Sequence, residues 1–577
     1  MRIIRGRCLP FTIAAACAVF SAGCGGSDNA TSSSGLPQLA AAQPAGLVGN
    51  CTDLASRVSY DNTTITSATA VAAGTVAGTP APAHCLVTGS MFQRVSPVDA
   101  QTYAIGFEMR LPLVWNGRFF YQANGGTDGA VVAATGAVSG GGPLTSALNM
   151  GFAVISSDAG HTGGPLGAPP TFGIDPQARL DYGYQAVGKL TPMAKAVIRV
   201  AYGKGPDRSY IGGCSNGGRH TMVATTRYSD DYDGFLVGDP GFRLPLAAIA
   251  NIAGAQAYAP LATSATDLST AFTVPERKLV SNAVLAKCDA LDGTADGLVQ
   301  DIKACQAAFD LNRDVPTCTG ARDGTCLSAA QKTTIAGLFS GAKTSAGAKI
   351  YSSFPFDAGL ATSGWSFWKF TVPMILDSGA VGLIWQVPPE NASTFNGPAF
   401  ALGGNVDSML AKVNATNATY TESAMSFMTP PHPSDLSNLK NRGAKVMLYH
   451  GTSDPIFSSD DTTAWYDALA AANGGNASTF ASFYRVPGMN HCSGGPAADQ
   501  FDMLTPLVNW VEQGTAPGSV VATARGAGNA GGANADVPAT WAVNRTRPLC
   551  AYPQVARYKG SGSIEDAANF SCVAPAS

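Results

Sequence analysis

Ile211-Gly212-Gly213-Cys214-Ser215-Asn216-Gly217-Gly218 is the stretch on which the reading of this chain turns. It fits G-x-S-x-G, with Ser215 between a predicted strand (Ser209 to Gly212) and a predicted helix beginning near Asn216. A tight strand-to-helix turn of this kind holds a serine hydroxyl out of the backbone and aims the next N–H at the reacting oxygen. In a chain with 66 glycines the pattern alone is weak, so the surrounding sequence has to supply the context.

Charged residues make up only 13% of the 577, and the formal net charge is −3 with no basic block, which excludes a nucleic-acid footprint and points to a small partner. Arg2, Arg5 and Arg7 precede an apolar run from Leu9 to Phe20, and small residues Ser21-Ala22-Gly23 lead into Cys24. This reads as an export signal over residues 1–24, too short to span a bilayer, with Cys24 placed as in a bacterial lipoprotein processing site. A lipid at Cys24 is the only membrane attachment expected, and the compartment is periplasmic, outer-membrane-anchored or extracellular. Residues 25–46 are rich in Ser, Ala, Gln and Pro and read as a linker.

Ten cysteines remain beyond the signal, an even number that argues for disulfides in an exported chain. Proximity suggests Cys51–Cys85, Cys288–Cys305, Cys318–Cys326 and Cys550–Cys572, which leaves Cys214 to find Cys492. Strand candidates at Tyr103 to Leu111, Arg118 to Ala123, Phe152 to Ser156 and Ser209 to Gly212, with a helix from Pro192 to Tyr202, predict a doubly wound α/β sheet. The rhythm stops near residue 241 and resumes with a strand at Lys445 to Tyr449, a helix near Thr462 to Ala472 and a strand at Ser482 to Val486. The expected organisation is therefore one sheet-bearing domain of residues 47–240 and 436–577, interrupted by an insertion of residues 241–435.

A serine nucleophile needs a base and a group that orients the base. The order Ser, Asp, His along an α/β-hydrolase chain places the acid after one late strand and the histidine after the next. Asp454 and His491 stand at those places, and a Cys214–Cys492 bridge would draw His491 to Ser215. His220, one and a half helical turns beyond Ser215, is badly placed to reach back, and His450 reads as structural. The oxyanion hole is expected from the N–H of Asn216 and one from Gly125 or Gly126, in the glycine turn after the strand that ends at Ala123.

The insertion carries two further features. Cys288-Asp289-Ala290-Leu291-Asp292-Gly293-Thr294-Ala295-Asp296-Gly297-Leu298 puts three carboxylates within eight residues, with glycines that let the chain curl. That suits a structural Ca2+ held by Asp289, Asp292 and Asp296 with the carbonyls of Thr294 and Leu298, although the spacing is not that of an EF-hand. Ser363-Gly364-Trp365-Ser366-Phe367-Trp368-Lys369-Phe370 groups four aromatics that either line a pocket for a flat acyl group or form the insertion's own core.

The elbow around Ser215, the pair His491-Cys492, the loop opening with Cys288-Asp289, and the C-terminal Arg547-Pro548-Leu549-Cys550-Ala551-Tyr552-Pro553 with Phe570-Ser571-Cys572 together resemble the tannase and feruloyl esterase family over about Cys51 to Cys572. The resemblance implies an α/β-hydrolase with a calcium-holding lid, a triad of Ser215, Asp454 and His491, no cofactor for catalysis, and small aromatic (phenolic) esters as substrates. The family includes hydrolases of mono(2-hydroxyethyl) terephthalate, where a lid arginine is expected to take the free carboxylate. No arginine occurs from Tyr351 to Asp435, and Lys369, the nearest substitute, lacks the planar fork. A phenolic ester is therefore the favoured substrate and a terephthalate monoester the alternative. A binder of polyphenol or carbohydrate, lipid-anchored and without catalysis, is the alternative of another class.

Overall fold

The computed structural model describes residues 35–137, 140–163 and 168–575. The signal segment and the first part of the linker lie outside the described residues. From Leu36 the chain belongs to one unit that runs to the C-terminus. The described part of the linker is seated on the body: the Ala42 N–H donates to Glu512 Oε2 at 2.9 Å, and Ala45–Gly46 pairs with Val114–Trp115. Its apolar residues Leu36 and Leu39 pack against the two sheet cores, which the Ser, Ala, Gln and Pro composition did not disclose.

The body is organised on a nine-stranded sheet. Its strands in chain order are β1 (Thr63–Val71), β2 (His84–Val95), β3 (Thr102–Pro112), β4 (Arg118–Gln122), β5 (Ala153–Ser157), β6 (Arg208–Cys214), β7 (Gly234–Gly238), β8 (Lys445–Gly451) and β9 (Ala481–Val486). They lie side by side as β9-β8-β7-β6-β4-β5-β3-β2-β1. β4 to β9 run parallel, while β1, β2 and β3 form an antiparallel meander whose last strand pairs with β5.

Side chains of a strand alternate between faces, and a parallel sheet covered on both sides is apolar in both registers. Phe119, Tyr121, Ile211, Phe235, Val237, Val446 and Leu448 enter one core, together with helix α1 (Ala186–Tyr202). The intervening Phe120, Tyr210, Leu236, Met447 and Tyr449 enter the other, which is closed by the helix Leu504–Gln513. The expected α/β-hydrolase sheet is thus present, with strands and helices at nearly the predicted places. β1, β2 and β7 are additions: β1 and β2 are broken by bulges, β1 is rich in Ser, Thr and Ala, and β7 is only Gly-Phe-Leu-Val-Gly.

Helix α2 (Asn216–Arg227) follows β6 through the elbow, and after β7 the chain leaves the sheet to build the lid. The lid contains α3 (Leu244–Tyr258), α4 (Val274–Cys288) and the continuous helix α5 (Ser363–Trp385), before the chain returns at β8 and α6 (Ser459–Ala472). Length and composition would let α5 cross a membrane, but 67% of its apolar window is buried in the protein, as expected of a core helix. The lid's apolar core is shared with the catalytic domain: Tyr103, Phe172, Tyr182, Ile456 and Phe457 pack with Ile249, Val381, Trp385 and Phe427. The lid is therefore a packed layer over the C-terminal ends of β6, β7, β8 and β9.

Candidate active site

Ser215 tops the elbow with φ +65° and ψ −126°, a left-handed conformation that a non-glycine residue adopts only where its surroundings force it. Its N–H donates to Gly238 O at 3.1 Å. The turn is tight because α2 packs directly on neighbouring backbone: a Cβ on Gly217 would come within 2.3 Å of Ala123 O, and one on Gly218 within 2.2 Å of Gly238 O. Those two glycines are required by close approach rather than by flexibility.

All five cysteine pairs occur as expected, including Cys214–Cys492 with a Cα separation of 6.0 Å. Each of these two residues adjoins a candidate catalytic residue, so the bridge holds the elbow against the histidine loop. His491 Nδ1 lies 2.7 Å from Asp454 Oδ2, while its Nε2 faces the bridge, 3.9 Å from Cys492 Sγ. A ring that donates from Nδ1 to a carboxylate leaves Nε2 free to accept a proton. Asp454 Oδ1 accepts from the N–H groups of Ile456 and Phe457 at 2.9 and 3.0 Å, which fixes the carboxylate. Burial alone would raise the Asp454 pKa, but the charges and hydrogen bonds of His491 and His450 outweigh it and hold the group below its ordinary value.

Gly125 lies against the nucleophile: a Cβ there would be 3.9 Å from Ser215 Cβ and 3.8 Å from Cys214 O. A Cβ on Gly126, at φ +62°, would meet nothing within 4 Å. Asn216 is fixed from both sides, its Nδ2 donating to Asp128 Oδ2 at 2.7 Å and its Oδ1 accepting from Arg219 Nε at 2.7 Å. His220 Nε2 meets the same Asp128 oxygen at 2.9 Å, so this histidine ties the elbow helix to the glycine turn and not to Ser215. The N–H of Asp128 in turn donates to Gly125 O at 3.2 Å. Asp128 was not visible as a site residue in the sequence; a lone Asp in a Gly-Thr-Asp-Gly turn carries no periodic signal.

The aromatic run of the lid divides. The Trp368 ring stands edge-on to His491, centroids 4.7 Å apart, and Phe457 flanks the imidazole at 5.2 Å. Phe367 packs beside Trp368 at 5.4 Å. Trp365 instead is in the lid core against Phe370, with the Arg277 guanidinium over its ring. Lys369 is also turned inward: its Nζ donates to Pro455 O at 2.7 Å and sits 4.0 Å over the Phe354 ring. Burial lowers its pKa to about 8. The ammonium is spent on backbone next to Asp454 and does not face a ligand, which corrects its reading as a carboxylate partner. π-turns at Phe367–Thr371, Pro373–Asp377 and Ala380–Trp385 re-aim successive side chains of α5 and account for this mixture.

In the acidic loop, Asp289 Oδ1 accepts from the N–H groups of Asp296 and Gly297 at 2.8 and 3.0 Å. Asp296 Oδ2 is engaged by Arg547 Nε at 3.0 Å, a partner from the C-terminal wrap that the loop sequence does not reveal. Asp292 Oδ2 is buried without a hydrogen-bond partner. Burial first, and the Asp296 charge second, push the Asp292 pKa up to about 8. An orphaned buried carboxylate oxygen, close enough to Asp296 and Asp289 for both charges to raise its pKa, fits a hard cation with oxygen ligands.

A serine elbow after β6, a buried Asp–His pair after β8 and β9 and a lid packed above them define an α/β-hydrolase-type ester hydrolase. Residues 85–573 match the family model described as tannase and feruloyl esterase, and the chain belongs to that family. It is 40% identical over 538 residues to the mono(2-hydroxyethyl) terephthalate hydrolase of Piscinibacter sakaiensis, covering 87% of each chain. It is 27% identical over 493 residues to a protein of Neosartorya fischeri named "probable feruloyl esterase B-1", covering 81% of this chain and 83% of that one. Among solved structures, feruloyl esterase B from Aspergillus oryzae superposes with a TM-score of 0.70 at 24% identity, over 91% of this chain and 99% of that one, a likeness of fold.

Proposed function

We propose that the protein hydrolyses esters of aromatic carboxylic acids through an acyl-enzyme on Ser215. His491, oriented by Asp454, takes the Ser215 proton. The oxygen attacks the ester carbonyl, and the N–H groups of Asn216 and Gly125 receive the developing negative charge. His491 then returns the proton to the leaving alcohol, and water repeats the sequence to free the acid and the serine. The observation that supports this reading is the Cys214–Cys492 bridge, which ties the residue before Ser215 to the residue after His491, a histidine hydrogen-bonded to the buried Asp454.

Trp368, edge-on to the base, is a natural wall for a flat acyl group. The favoured substrates are phenolic esters of the ferulate or gallate type, because the sequence supplies no arginine from 351 to 435 and Lys369 points into the lid. A terephthalate monoester is the second reading, favoured by the 40% identity to the Piscinibacter enzyme. The acidic loop of Asp289, Asp292 and Asp296 is assigned a structural Ca2+ remote from the chemistry, supported by the orphaned Asp292 oxygen. Five disulfides support export, and the N-terminal segment read as an export signal supports the periplasm, the outer membrane through a lipid on Cys24, or the extracellular space as the compartment.

The test is S215A assayed on methyl ferulate, methyl gallate and mono(2-hydroxyethyl) terephthalate. Turnover should fall by at least about a thousandfold on whichever ester the wild type prefers, and retained turnover would remove Ser215 from the mechanism.

A further inference from the structure

Behind the triad, and independent of Ser215, a second acid and a second histidine are packed against Asp454. His450 lies within β8 and Asp239 directly follows β7, at φ +34°. The His450 Nε2 atom faces three oxygens: Phe457 O at 3.1 Å, Asp454 Oδ2 at 3.3 Å and Asp239 Oδ1 at 3.8 Å. The Asp454 oxygen it approaches is the one that accepts from His491 Nδ1. All three side chains are fully buried.

Two carboxylates cannot stay ionised in one fully buried pocket without a cation between them. Among the described residues, Asp239 Oδ1 accepts one hydrogen bond, from the Gly451 N–H at 2.7 Å. Its Oδ2 lies 3.5 Å from Cys214 Sγ, a disulfide sulfur with no proton to give. The other charged groups packed nearby are committed elsewhere. From α6, Asp460 accepts from the Ser353 hydroxyl and Asp461 is paired with Arg243, while Thr462 Oγ1 meets His450 Nδ1 at 2.8 Å. From α5, the Lys369 ammonium is on Pro455 O. The Tyr351 hydroxyl accepts from the Ser458 N–H at 3.3 Å.

We propose that His450 is an imidazolium shared by Asp239 and Asp454, a positioning residue that keeps Asp454 fixed and ionised, while Asp239 cancels its charge so that Asp454 acts on His491 undiminished. The proposal rests on the triad reading. At rest the array Asp239–His450–Asp454 carries one net negative charge beneath His491; when His491 takes the Ser215 proton, the array and His491 together become neutral. Burial opposes a charge on His450, but the hydrogen bond to Asp454 and the field of Asp239 outweigh it and leave the imidazole above its ordinary pKa. Burial chiefly, with Asp454 adding and His450 opposing, brings Asp239 up to about 6.

The test is the pH profile of kcat/KM on a neutral aromatic ester for D239N and the double variant H450Q/D239N. With Asp239 neutralised, the uncancelled His450 charge should make His491 a weaker base. The acid limb should then move down by about half a pH unit or more, with kcat reduced about tenfold and KM little changed. Removing His450 as well restores one net negative charge, so the limb should return to its wild-type position. An acid limb in folded D239N within about 0.2 unit of the wild type overturns the proposal. If the variants do not fold, nitrogen-15 resonances of the histidines in the wild-type enzyme decide: His450 should be doubly protonated at neutral pH, and a neutral tautomer there overturns it. A phosphonate label separates the two hypotheses. Wild-type enzyme that fails to label on Ser215 overturns the triad and this proposal with it, whereas labelled enzyme with an unmoved D239N limb overturns this proposal alone.

Discussion

A single lid carboxylate, Asp357, bridges the acid loop and the base loop: its Oδ2 accepts from the Ser453 hydroxyl at 2.9 Å, from the Gly488 N–H at 3.0 Å and from the Thr452 hydroxyl. Ser453 adjoins Asp454, and Gly488 opens the turn to His491. Asp357 is fully buried, and its Oδ1 accepts from the Ala358 N–H at 2.7 Å. The lid therefore pins the loops on which the Asp454–His491 hydrogen bond depends.

D357A removes the acceptor of four buried donors; the Gly488 N–H keeps Thr452 Oγ1 at 3.0 Å and the Thr452 hydroxyl keeps Val486 O at 3.2 Å, which leaves the Ser453 hydroxyl and the Ala358 N–H unpaired, each worth about 1–3 kcal/mol. The expected outcome is a clear fall in melting temperature together with a kcat loss of about tenfold or more. D357N, which keeps one acceptor oxygen, should recover part of both. Steady-state kinetics and thermal unfolding on the same preparations check this.

Breaking Cys214–Cys492 should affect catalysis before global structure. The bridge closes a loop at a sequence separation of 278, for which chain entropy gives a contribution of about 5.6 kcal/mol. Titration with mild reductant, followed by thiol mapping and kcat, should show activity falling as these two thiols appear, with far-ultraviolet circular dichroism still native.

The two tryptophans of the lid run should separate cleanly. W368A removes the ring beside His491 and should raise KM or lower kcat for aromatic esters more than for acetate esters, with modest loss of stability. W365A excavates the lid core and should cost about 3–5 kcal/mol in unfolding free energy, with the ratio of aromatic to acetate turnover unchanged.

Chelation with EGTA should lower the melting temperature by a few degrees, and added Ca2+ should restore it, since a ligand bound only to the folded state stabilises by mass action. D292N should abolish the calcium-dependent shift. Its turnover at low temperature should stay near that of the wild type, because the loop holds no residue of the triad.

The sheet and the catalytic constellation were legible in the sequence because they rest on short-range rules. Strand-length apolar runs, small residues around Ser215, a residue order of Ser, Asp and His, and one pair of cysteines left over are all visible in one dimension. The supporting contacts were not. Asp357 reaches Thr452 at a sequence separation of 95, Arg547 reaches Asp296 at 251, and Asp128 holds Asn216 at 88, and none of these partners carries a local pattern. His450 looked structural because nothing near it in sequence announces Asp239. The inward turn of Lys369 was hidden for another reason: α5 contains π-turns, so a regular period of 3.6 misplaces the side chains beyond them.

The order of the cysteines along the chain bears on how the enzyme is made. Four bridges join cysteines that are consecutive in the sequence, whereas Cys214 is synthesised before Cys288, Cys305, Cys318 and Cys326 and must pass over all four to meet Cys492. A chain oxidised strictly in order of emergence would couple Cys214 to Cys288 and lose both the elbow bridge and the closure of the acidic loop. Active enzyme therefore depends on late oxidation of Cys214 or on reshuffling of wrong pairs. Yield from a host should follow its disulfide isomerase more closely than its oxidant.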